Sequence, residues 1–283
     1  TTDRAYRRVA FMGDITMPKT HYICPDKEVI RIEDCLKKGG CRLGERCEEI
    51  PMLRYIAEDR PFRGVTASAA GNGPRLIYLK AVKPYAVKPD DRMFAMLGIN
   101  THNKLAAKVY TENELAEEQL EGGRPDLLSE DEGTDNQYDL VDYKTWGNYA
   151  VVKALGKNGK PADVRSPSLQ LNRYRMDYEA NNFKIARMRV RAIVRDGGTW
   201  IAKKAGLDKK SYPIPIPFIE DEWVAEYYNN LNEEVKQAFD TGYARLCDDW
   251  EAWEGARCKG YCEVAEYCKE MSRERDETHT WLK

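Results

Sequence analysis

Cysteine placement constrains this chain more than any other feature of its sequence. The eight cysteines form two groups separated by a cysteine-free stretch from residue 48 to residue 246. The segment Thr1 to Ala10 carries three arginines and no apolar run typical of a secretion signal, so a disulfide framework is disfavoured. Reduced thiolates bound to a metal or an iron–sulfur cluster are the favoured interpretation. The two groups are Cys24, Cys35, Cys41 and Cys47, and Cys247, Cys258, Cys262 and Cys268.

The length and composition indicate a soluble protein with a substantial core. The chain has 283 residues, of which 42% are hydrophobic and 33% are charged. No run approaches the roughly 18 apolar residues of a membrane helix. We therefore expect a single domain over residues 1–283 that acts in the cytoplasm of a bacterial or phage-infected cell, without a membrane partner.

Charge is segregated along the chain although the net charge is only −2. Residues 165–195 contain eight basic and two acidic side chains, whereas residues 220–254 contain two basic and eleven acidic ones. Any contact with nucleic acid must therefore come from a local basic patch rather than from the field of the whole molecule.

The hydrophobic pattern predicts an α/β fold. Two strands, Pro125–Leu128 and Gln137–Thr145, are joined by a polar turn over residues 129–136. A helix beginning near Ser168 leads into a strand over Phe183–Val194. Residues 1–30 are expected to be irregular. The remaining expectations are helical spacing over residues 31–57, a strand-like run over Leu76–Val82, a helix in one or two pieces over Asp91–Leu120, an extended Tyr212–Pro217 segment without ladder donors, and an acidic helix over Ile219–Ala244.

Three charged residues of the hairpin are candidates for chemistry. Asp142 and Lys144 share one face of their strand because side chains two residues apart point the same way. Folding the hairpin about residues 133–134 places Asp126 opposite residues 140–142, and two carboxylates that converge require a cation. A salt bridge on an edge strand is the alternative for the Asp-x-Lys pair.

Two further motifs flank the hairpin. His102 closes the sequence Gly98 to His102, and it could equally be an ordinary histidine on a helix face. Gln170 and Tyr174 are four residues apart and share one face of a helix, an arrangement that surface packing also produces.

Taken in chain order, these four motifs resemble the RecB-type branch of the PD-(D/E)XK nuclease superfamily. They are G-x-x-x-H at Gly98–His102, G-x-x-D at Gly123–Asp126, D-x-K at Asp142–Lys144 and Q-x-x-x-Y at Gln170–Tyr174. The resemblance implies a restriction-endonuclease-like core in which a mixed central sheet is flanked by helices. The core would span residues 91–200, between an N-terminal helical cysteine segment at 31–57 and a C-terminal helix and cysteine segment at 219–283.

The resemblance also implies a role for each motif residue. Asp126, Asp142, His102 and the backbone carbonyl of Tyr143 would hold Mg²⁺ or Mn²⁺. Lys144 would orient a water molecule, Gln170 would brace Lys144 or a phosphate, and Tyr174 would stack on a nucleotide or simply pack. The implied activity is that of a DNA exonuclease on single strands or duplex ends, often found in recombination, repair or phage replication.

The C-terminal cysteines narrow the resemblance further. Cys258, Cys262 and Cys268 look like the C-terminal triple of the iron–sulfur nucleases, namely the AddB nuclease domain and the CRISPR-adaptation exonucleases. These families hold a 4Fe–4S cluster that joins the ends of the chain, and here Cys41 is the expected fourth ligand, with Cys35 or Cys47 as alternatives. The sequence departs from their pattern because three residues separate the first pair and no proline follows Cys262. Most of the surplus thiols are expected to be unliganded, and the alternative is a second, zinc site from Cys24, Cys35, Cys47 and Cys247.

Several arginines are predicted to track the DNA backbone, which would make binding sensitive to salt. A solvated strand face is the alternative for each of them. The arginines are Arg173, Arg175, Arg187, Arg189 and Arg191.

Three other functions remain open for the whole chain: a non-catalytic DNA-binding or assembly protein on the same fold, a zinc-stapled interaction protein, and a sequence-specific nuclease.

Overall fold

The structure is a computed structural model in which the chain forms two compact units. Unit 1 contains residues 1–65, 71–96 and 228–283, and unit 2 contains residues 66–70 and 97–227. Both units are therefore discontinuous in sequence. The structure describes residues 19–58, 62, 64–109, 114–116, 120–130, 137–275 and 277.

Unit 2 is built on a mixed sheet of five strands in sequential order, β4-β5-β6-β7-β8. The β4/β5, β5/β6 and β7/β8 pairs are antiparallel, whereas β6 and β7 are parallel. A parallel pair needs a long crossover connection, and the chain supplies one between β6 and β7 that contains two helices. The strands are β4 (Glu114–Leu115), β5 (Leu127–Glu130), β6 (Gln137–Trp146), β7 (Lys184–Val194) and β8 (Ser211–Ile216).

The longer crossover helix packs on this sheet and closes the core of unit 2. Leu171, Tyr174 and Tyr178 on that helix are buried in one cluster with Leu140 of β6 and Val190 of β7. The helix buries its apolar face against the sheet. The strand β7 contributes buried side chains to the same cluster, and these alternate with more exposed ones along the strand. The helices α5 (Asn148–Ala154), α6 (Arg165–Ala180) and α7 (Trp200–Lys204) lie wholly in unit 2, and α6 is the helix just described.

Unit 1 has a smaller mixed sheet of three strands in the order β2-β1-β3. Its core brings the two cysteine-bearing regions together, because Cys35 and Leu53 are buried in the same cluster as Leu79 and Val264, with Cys262 packed against it. The strands are β1 (Lys19–Ile23), β2 (Val29–Arg31) and β3 (Tyr85–Val87), and the helices are α1 (Ile32–Leu36), α2 (Ile50–Ala57), α3 (Pro74–Val82), α9 (Ala256–Gly260) and α10 (Ala265–Glu274).

The chain passes from one unit to the other at four points, and two of these lie within helices. The two helices are α4 (Pro89–Ala106) and α8 (Asp221–Thr241). The acidic helix expected over Ile219–Ala244 is confirmed as α8. The helix expected over Asp91–Leu120 is confirmed only to residue 106, since Glu114 and Leu115 form β4.

The α/β class and the mixed sheet predicted from the sequence are confirmed. The strand predicted over Leu76–Val82 is wrong, because these residues belong to α3, which starts with Pro74 at its first turn. This helix is buried on nearly every side, so it lacks the apolar period that identifies a surface helix.

Two further expectations about local structure need correction. Residues 1–30 were expected to be irregular, but β1 and the start of β2 lie there. The segment Tyr212–Pro217 was expected to lack ladder donors, yet its residues up to 216 pair with β7 as the edge strand β8. Proline is tolerated on an edge strand where its missing N–H would face away from the neighbouring strand. The turn residues 131–136, including the predicted hairpin centre at 133–134, lie outside the described residues.

In the described part of the chain, no helix combines the length and the apolar character that crossing a bilayer requires.

Candidate functional site

The hairpin of β5 and β6 places two buried carboxylates next to each other. Leu127 pairs with Val141, so Asp126, one residue earlier, lies at the level of Asp142. This register confirms the expected position of Asp126 opposite residues 140–142. Asp126 is 8% exposed and Asp142 is 2% exposed, so both carboxylates are removed from bulk water.

Asp142 lies in a triangle of polar groups with Lys144 and Gln170. Lys144 Nζ lies 3.1 Å from Asp142 Oδ1 and 2.8 Å from Oδ2, and it donates to Gln170 Oε1 at 3.2 Å. Gln170 Nε2 donates to Asp142 Oδ1 at 3.3 Å. Residues from strand β6 and helix α6 therefore meet as the sequence motifs predicted, with Gln170 bracing Lys144.

Asp126 is held by a second set of contacts. Its Oδ1 lies 2.9 Å from His102 Nδ1, and its Oδ2 accepts a hydrogen bond of 2.6 Å from the backbone N–H of Tyr143. His102 comes from α4, so the site combines side chains from α4, from the segment just before β5, from β6 and from α6. The side chains of His102 and Lys144 are each about one quarter exposed, which leaves the site reachable from solvent.

Several charged side chains lie close together in this site and are mostly buried, so burial and neighbouring charges both shift their pKa values. Burial raises the pKa of Asp142, Lys144 opposes that shift, and the negative charge of Asp126 adds to it. Burial by itself would lower the pKa of Lys144, but Asp142 reverses this effect and the pKa is raised overall. The hydrogen bond to Asp126 raises the pKa of His102. Lys144 is consequently an ammonium at neutral pH and cannot take up a proton in this state.

The donor set fits a hard divalent cation. Two carboxylates and an imidazole are ligands that Mg²⁺ and Mn²⁺ accept. Asp142 Oδ2 is fully buried and accepts no well-aligned hydrogen bond among the described residues, although it forms an ion pair with Lys144 Nζ at 2.8 Å. Within the described ranges, no three His, Cys, Asp or Glu side chains already stand in ligating positions. An ion would therefore have to draw the carboxylates from Lys144 and His102 towards itself.

A two-glycine loop ahead of Asp126 rests on helix α6. The backbone N–H of Gly122 donates to Asp177 Oδ2 at 2.7 Å, and Arg173 forms an ion pair with Asp177. Gly123 has φ of +139°, and a Cβ atom at this position would lie 3.2 Å from the Tyr174 hydroxyl. Only glycine adopts this backbone at so close an approach without strain. These contacts set the position at which the chain enters β5 after Asp126.

The structure corrects the role predicted for Arg173 and Arg175, and it favours packing among the two roles left open for Tyr174. Arg173 and Arg175 are buried and form ion pairs, Arg173 with Asp177 and Arg175 with Glu179. They therefore belong to the interior and not to an exposed phosphate-tracking surface. Tyr174 is 2% exposed, and burial raises its pKa to about 12, so it packs instead of stacking on a nucleotide.

The three arginines of β7 lie on the other face of the sheet from Asp142 and Lys144. In the parallel β6/β7 ladder, Val190 is the partner of Asp142, whereas Arg189 and Arg191 are the partners of Val141 and Tyr143. Side chains alternate between the two faces along a strand. Both Arg187 and Arg189 form ion pairs with the buried carboxylate of Asp139. Arg187 and Arg189 therefore neutralise Asp139, and the contact of Arg187, Arg189 and Arg191 with DNA stays a prediction.

The C-terminal cysteines of unit 1 line one cavity of about 450 Å³. Its lining includes Cys247, which was not predicted to be a cluster ligand, together with the predicted triple. Burial raises the pKa of Cys247 to about 12 and that of Cys262 to about 11, so both thiols are protonated at neutral pH unless a metal binds. A Cβ atom on Gly73 would lie only 2.6 Å from Cys247 Sγ, which shows how closely the backbone approaches this thiol.

The structure does not bring Cys41 to that cavity. Cys41 lines a separate cavity with Cys24, Cys35 and Cys47, so the eight cysteines divide by sequence group. This arrangement corrects two predictions. Cys41 does not lie at the cavity of the C-terminal triple, and Cys247 does not lie with Cys24, Cys35 and Cys47. All eight cysteines lie in described segments and are free thiols. The sequence offered one clue to the regrouping, namely that Cys247 is much nearer in the chain to the triple than Cys41 is.

Comparison with protein-family models, with curated proteins and with solved structures found no match to this chain.

Proposed function

We propose that unit 2 is a divalent-metal-dependent nuclease that hydrolyses phosphodiester bonds in DNA. The observation that carries the proposal is the pair of buried carboxylates, Asp126 and Asp142, with the Lys144 ammonium and the Gln170 amide at hydrogen-bond distance from Asp142. A salt bridge that served stability alone would not need a second buried carboxylate beside it. Two such charges in one site raise the cost of folding unless a cation balances them.

The order of elements in unit 2 supports a PD-(D/E)XK core. An antiparallel β5/β6 hairpin carries Asp126 and Asp142, helix α6 carries Gln170, and β7 returns parallel to β6. The helix α4 that precedes the hairpin carries His102. This sequence of helix, hairpin, helix and parallel strand matches the order expected from the four motifs.

The residues divide the chemical work as follows. Asp126, Asp142 and His102 would hold Mg²⁺ or Mn²⁺, together with the backbone carbonyl of Tyr143. When bound, such an ion activates water and neutralises charge on the scissile phosphate.

Lys144 would orient the attacking water and stabilise negative charge on the phosphate, because it is positively charged and partly exposed. Gln170 fixes the direction of the Lys144 ammonium through its Oε1 atom.

The resemblance supplies the proposed substrate, which is single-stranded DNA or a duplex end. It also implies a role in recombination, repair or phage replication, with a recombination or replication protein as the expected partner.

A cofactor of unit 1 belongs to the same proposal. We assign a 4Fe–4S cluster to the C-terminal cavity, with Cys247 in place of Cys41 as the fourth ligand beside Cys258, Cys262 and Cys268. The observations behind this assignment are the four thiols that line one cavity and a volume far above that of a single ion. The cluster would be structural, joining α9 and α10 to the segment around Cys247.

The test is degradation of end-labelled single-stranded and double-stranded DNA in Mn²⁺ or Mg²⁺. Wild type, Lys144→Ala and a matched control, Lys153→Ala, are compared. Lys153 is also an ion-paired lysine of unit 2, with Asp163 as its partner, but it lies in α5 and outside the site. We expect metal-dependent degradation by wild type and control, and a loss of at least about 100-fold in Lys144→Ala.

The product ladder gives the polarity and separates exonuclease from endonuclease cutting. A folded protein that binds DNA and cuts it in neither metal would instead favour the non-catalytic DNA-binding alternative. Equal activity in wild type and Lys144→Ala would remove Lys144 from the mechanism.

A further inference from the structure

The four N-terminal cysteines line one small cavity in unit 1. Cys24, Cys35, Cys41 and Cys47 share this cavity, whose volume is about 20 Å³, with the apolar side chains of Ile30 and Leu53. Cavities need roughly 10–15 Å³ to hold one water molecule. The space therefore suits a single ion and is too small for a polynuclear cluster.

Each of the four thiols is positioned by a different piece of local structure. Cys24 begins the turn between β1 and β2, where its N–H donates to Glu28 O at 2.8 Å. Cys41 begins a second turn in which its carbonyl accepts from the N–H of Gly44, a residue with φ of +82°. Cys35 lies on α1, and Cys47 lies shortly before α2. A ligand that joined all four would connect the hairpin to both helices.

The four thiols are close enough to line one cavity of about 20 Å³, although, within the described chain, no three of them already stand in ligating positions. Four thiols gathered in a cavity of this size repel one another once ionised. A divalent cation removes that repulsion, and binding releases the thiol protons to solvent.

Two arginines on the cavity wall suit a negatively charged metal–thiolate centre. A divalent ion with four thiolates carries a net charge of −2, and Arg42 and Arg46 both line the cavity. The Arg46 Nε atom is buried and has no hydrogen-bond partner in the part of the chain that the structure describes. A metal-bound sulfur is an acceptor that would satisfy this donor.

We propose that Cys24, Cys35, Cys41 and Cys47 form a structural zinc site that binds one Zn²⁺ per chain. Four thiolates without an open position are typical of structural zinc, which is tetrahedral and redox-inactive. This site is separate from the proposed nuclease centre and from the C-terminal cavity, and it does not depend on either. The chain spacings of ten, five and five intervening residues differ from the two to four residues common in zinc fingers, so sequence pattern alone does not reveal it.

The experiment measures zinc and iron per chain by elemental analysis of protein purified without oxygen. Wild type is compared with Cys24→Ser, Cys41→Ser and the reciprocal control Cys247→Ser. We expect one zinc in wild type, near-complete loss of zinc with iron retained in the two N-terminal variants, and the opposite result in Cys247→Ser. Zinc that is unchanged in Cys41→Ser, or lost in Cys247→Ser alone, would overturn the assignment.

A second measurement uses the wild type, so it stands even if the variants fail to fold. X-ray absorption at the zinc edge counts the neighbouring atoms of the bound ion. We expect four sulfur neighbours at about 2.3 Å. A shell containing nitrogen or oxygen, or a zinc-free wild type whose N-terminal thiols are paired as disulfides, would refute the proposal. Nuclease activity is not a readout here, so the proposed function can fail without affecting the result.

Discussion

Replacing Asp142 by asparagine tests whether this residue is a metal ligand or only a structural partner in an ion pair. Asp142→Asn keeps the shape of the side chain and removes its charge. Since the pKa of Asp142 is raised in the folded protein, the carboxylate holds its proton more tightly there than in the unfolded chain. Above its ordinary pKa of 3.8 the charged form therefore opposes folding, and the neutral amide removes this cost.

In the metal-free protein, two effects of Asp142→Asn on the free energy of unfolding oppose each other. Loss of the ion pair with Lys144 lowers it, and removal of a buried charge raises it. Lys144 keeps the hydrogen bond to Gln170 and is about one quarter exposed, so the variant does not leave a fully buried, unpaired ammonium. We expect the free energy of unfolding of metal-free Asp142→Asn to lie within about 1 kcal/mol of the wild-type value.

With metal present, the two proteins should behave differently. Mn²⁺ at 100 times its dissociation constant stabilises wild type by about 2.7 kcal/mol, which corresponds to a rise in Tm of roughly 5–10 °C. Removing one unit charge about 4 Å from another near a protein surface changes their interaction by about 4 kcal/mol, or close to 1,000-fold in affinity. At the same Mn²⁺ concentration the variant site would be mostly empty, and its Tm would scarcely move.

Two other variants complete the design. Lys144→Ala leaves Asp142 without its cation, so the metal-free protein should lose about 1–3 kcal/mol, while the stabilisation by Mn²⁺ is kept and DNA cleavage is lost. Asp139→Asn is the matched control, because Asp139 is a buried, ion-paired carboxylate on the same strand and the opposite face. Its metal response should equal that of wild type.

The assay is thermal unfolding of each protein with and without Mn²⁺, followed by DNA cleavage on the same samples. The decisive comparison is the Mn²⁺-dependent shift in Tm for wild type, Asp142→Asn and Asp139→Asn. If Asp142→Asn retained the full shift, Asp142 would not be a metal ligand and the proposed site would be refuted.

Three further predictions follow from the structure. Gly123→Ala should lower the free energy of unfolding in urea by at least about 1 kcal/mol, because a side chain there has positive φ and meets the Tyr174 hydroxyl. Asp177→Asn should cost about 2–4 kcal/mol in the same assay, since it removes the charge that pairs with the buried Arg173 guanidinium; an unchanged urea midpoint would contradict this structural role. Cys247→Ser should remove the visible absorbance near 400 nm expected of an iron–sulfur protein, whereas an unchanged spectrum would exclude Cys247 as a ligand.

Much of the candidate site could be predicted from the sequence because its residues depend on local geometry. Asp142 and Lys144 are two residues apart on a strand, and Gln170 and Tyr174 are four apart on a helix, so each pair shares a face wherever the element lies. The hairpin register that brings Asp126 level with Asp142 follows from the position of the polar turn. These inferences needed only the type of each element and the position of the turn, and the structure agrees with each placement.

The roles of the arginines depended on the tertiary structure. A basic stripe in the sequence shows that charge is concentrated, but not which carboxylates lie across from it. Arg173 and Arg175 are buried because Asp177 and Glu179 follow one helical turn later and the helix packs on the sheet. For Arg187 and Arg189, the parallel pairing of β7 with β6 decided that they face Asp139 and not Asp142.

Sequence alone determined that this chain carries two sets of four thiols, a hairpin with an Asp-x-Lys strand, and an α/β fold. Only the tertiary structure decided that Cys247 shares a cavity with the C-terminal triple while Cys41 stays with its own group. The physical reason is that ligand sets are chosen by distance in space. That distance depends on how α1, α2 and the C-terminal helices pack around one apolar core, and residue spacing along the chain does not encode it.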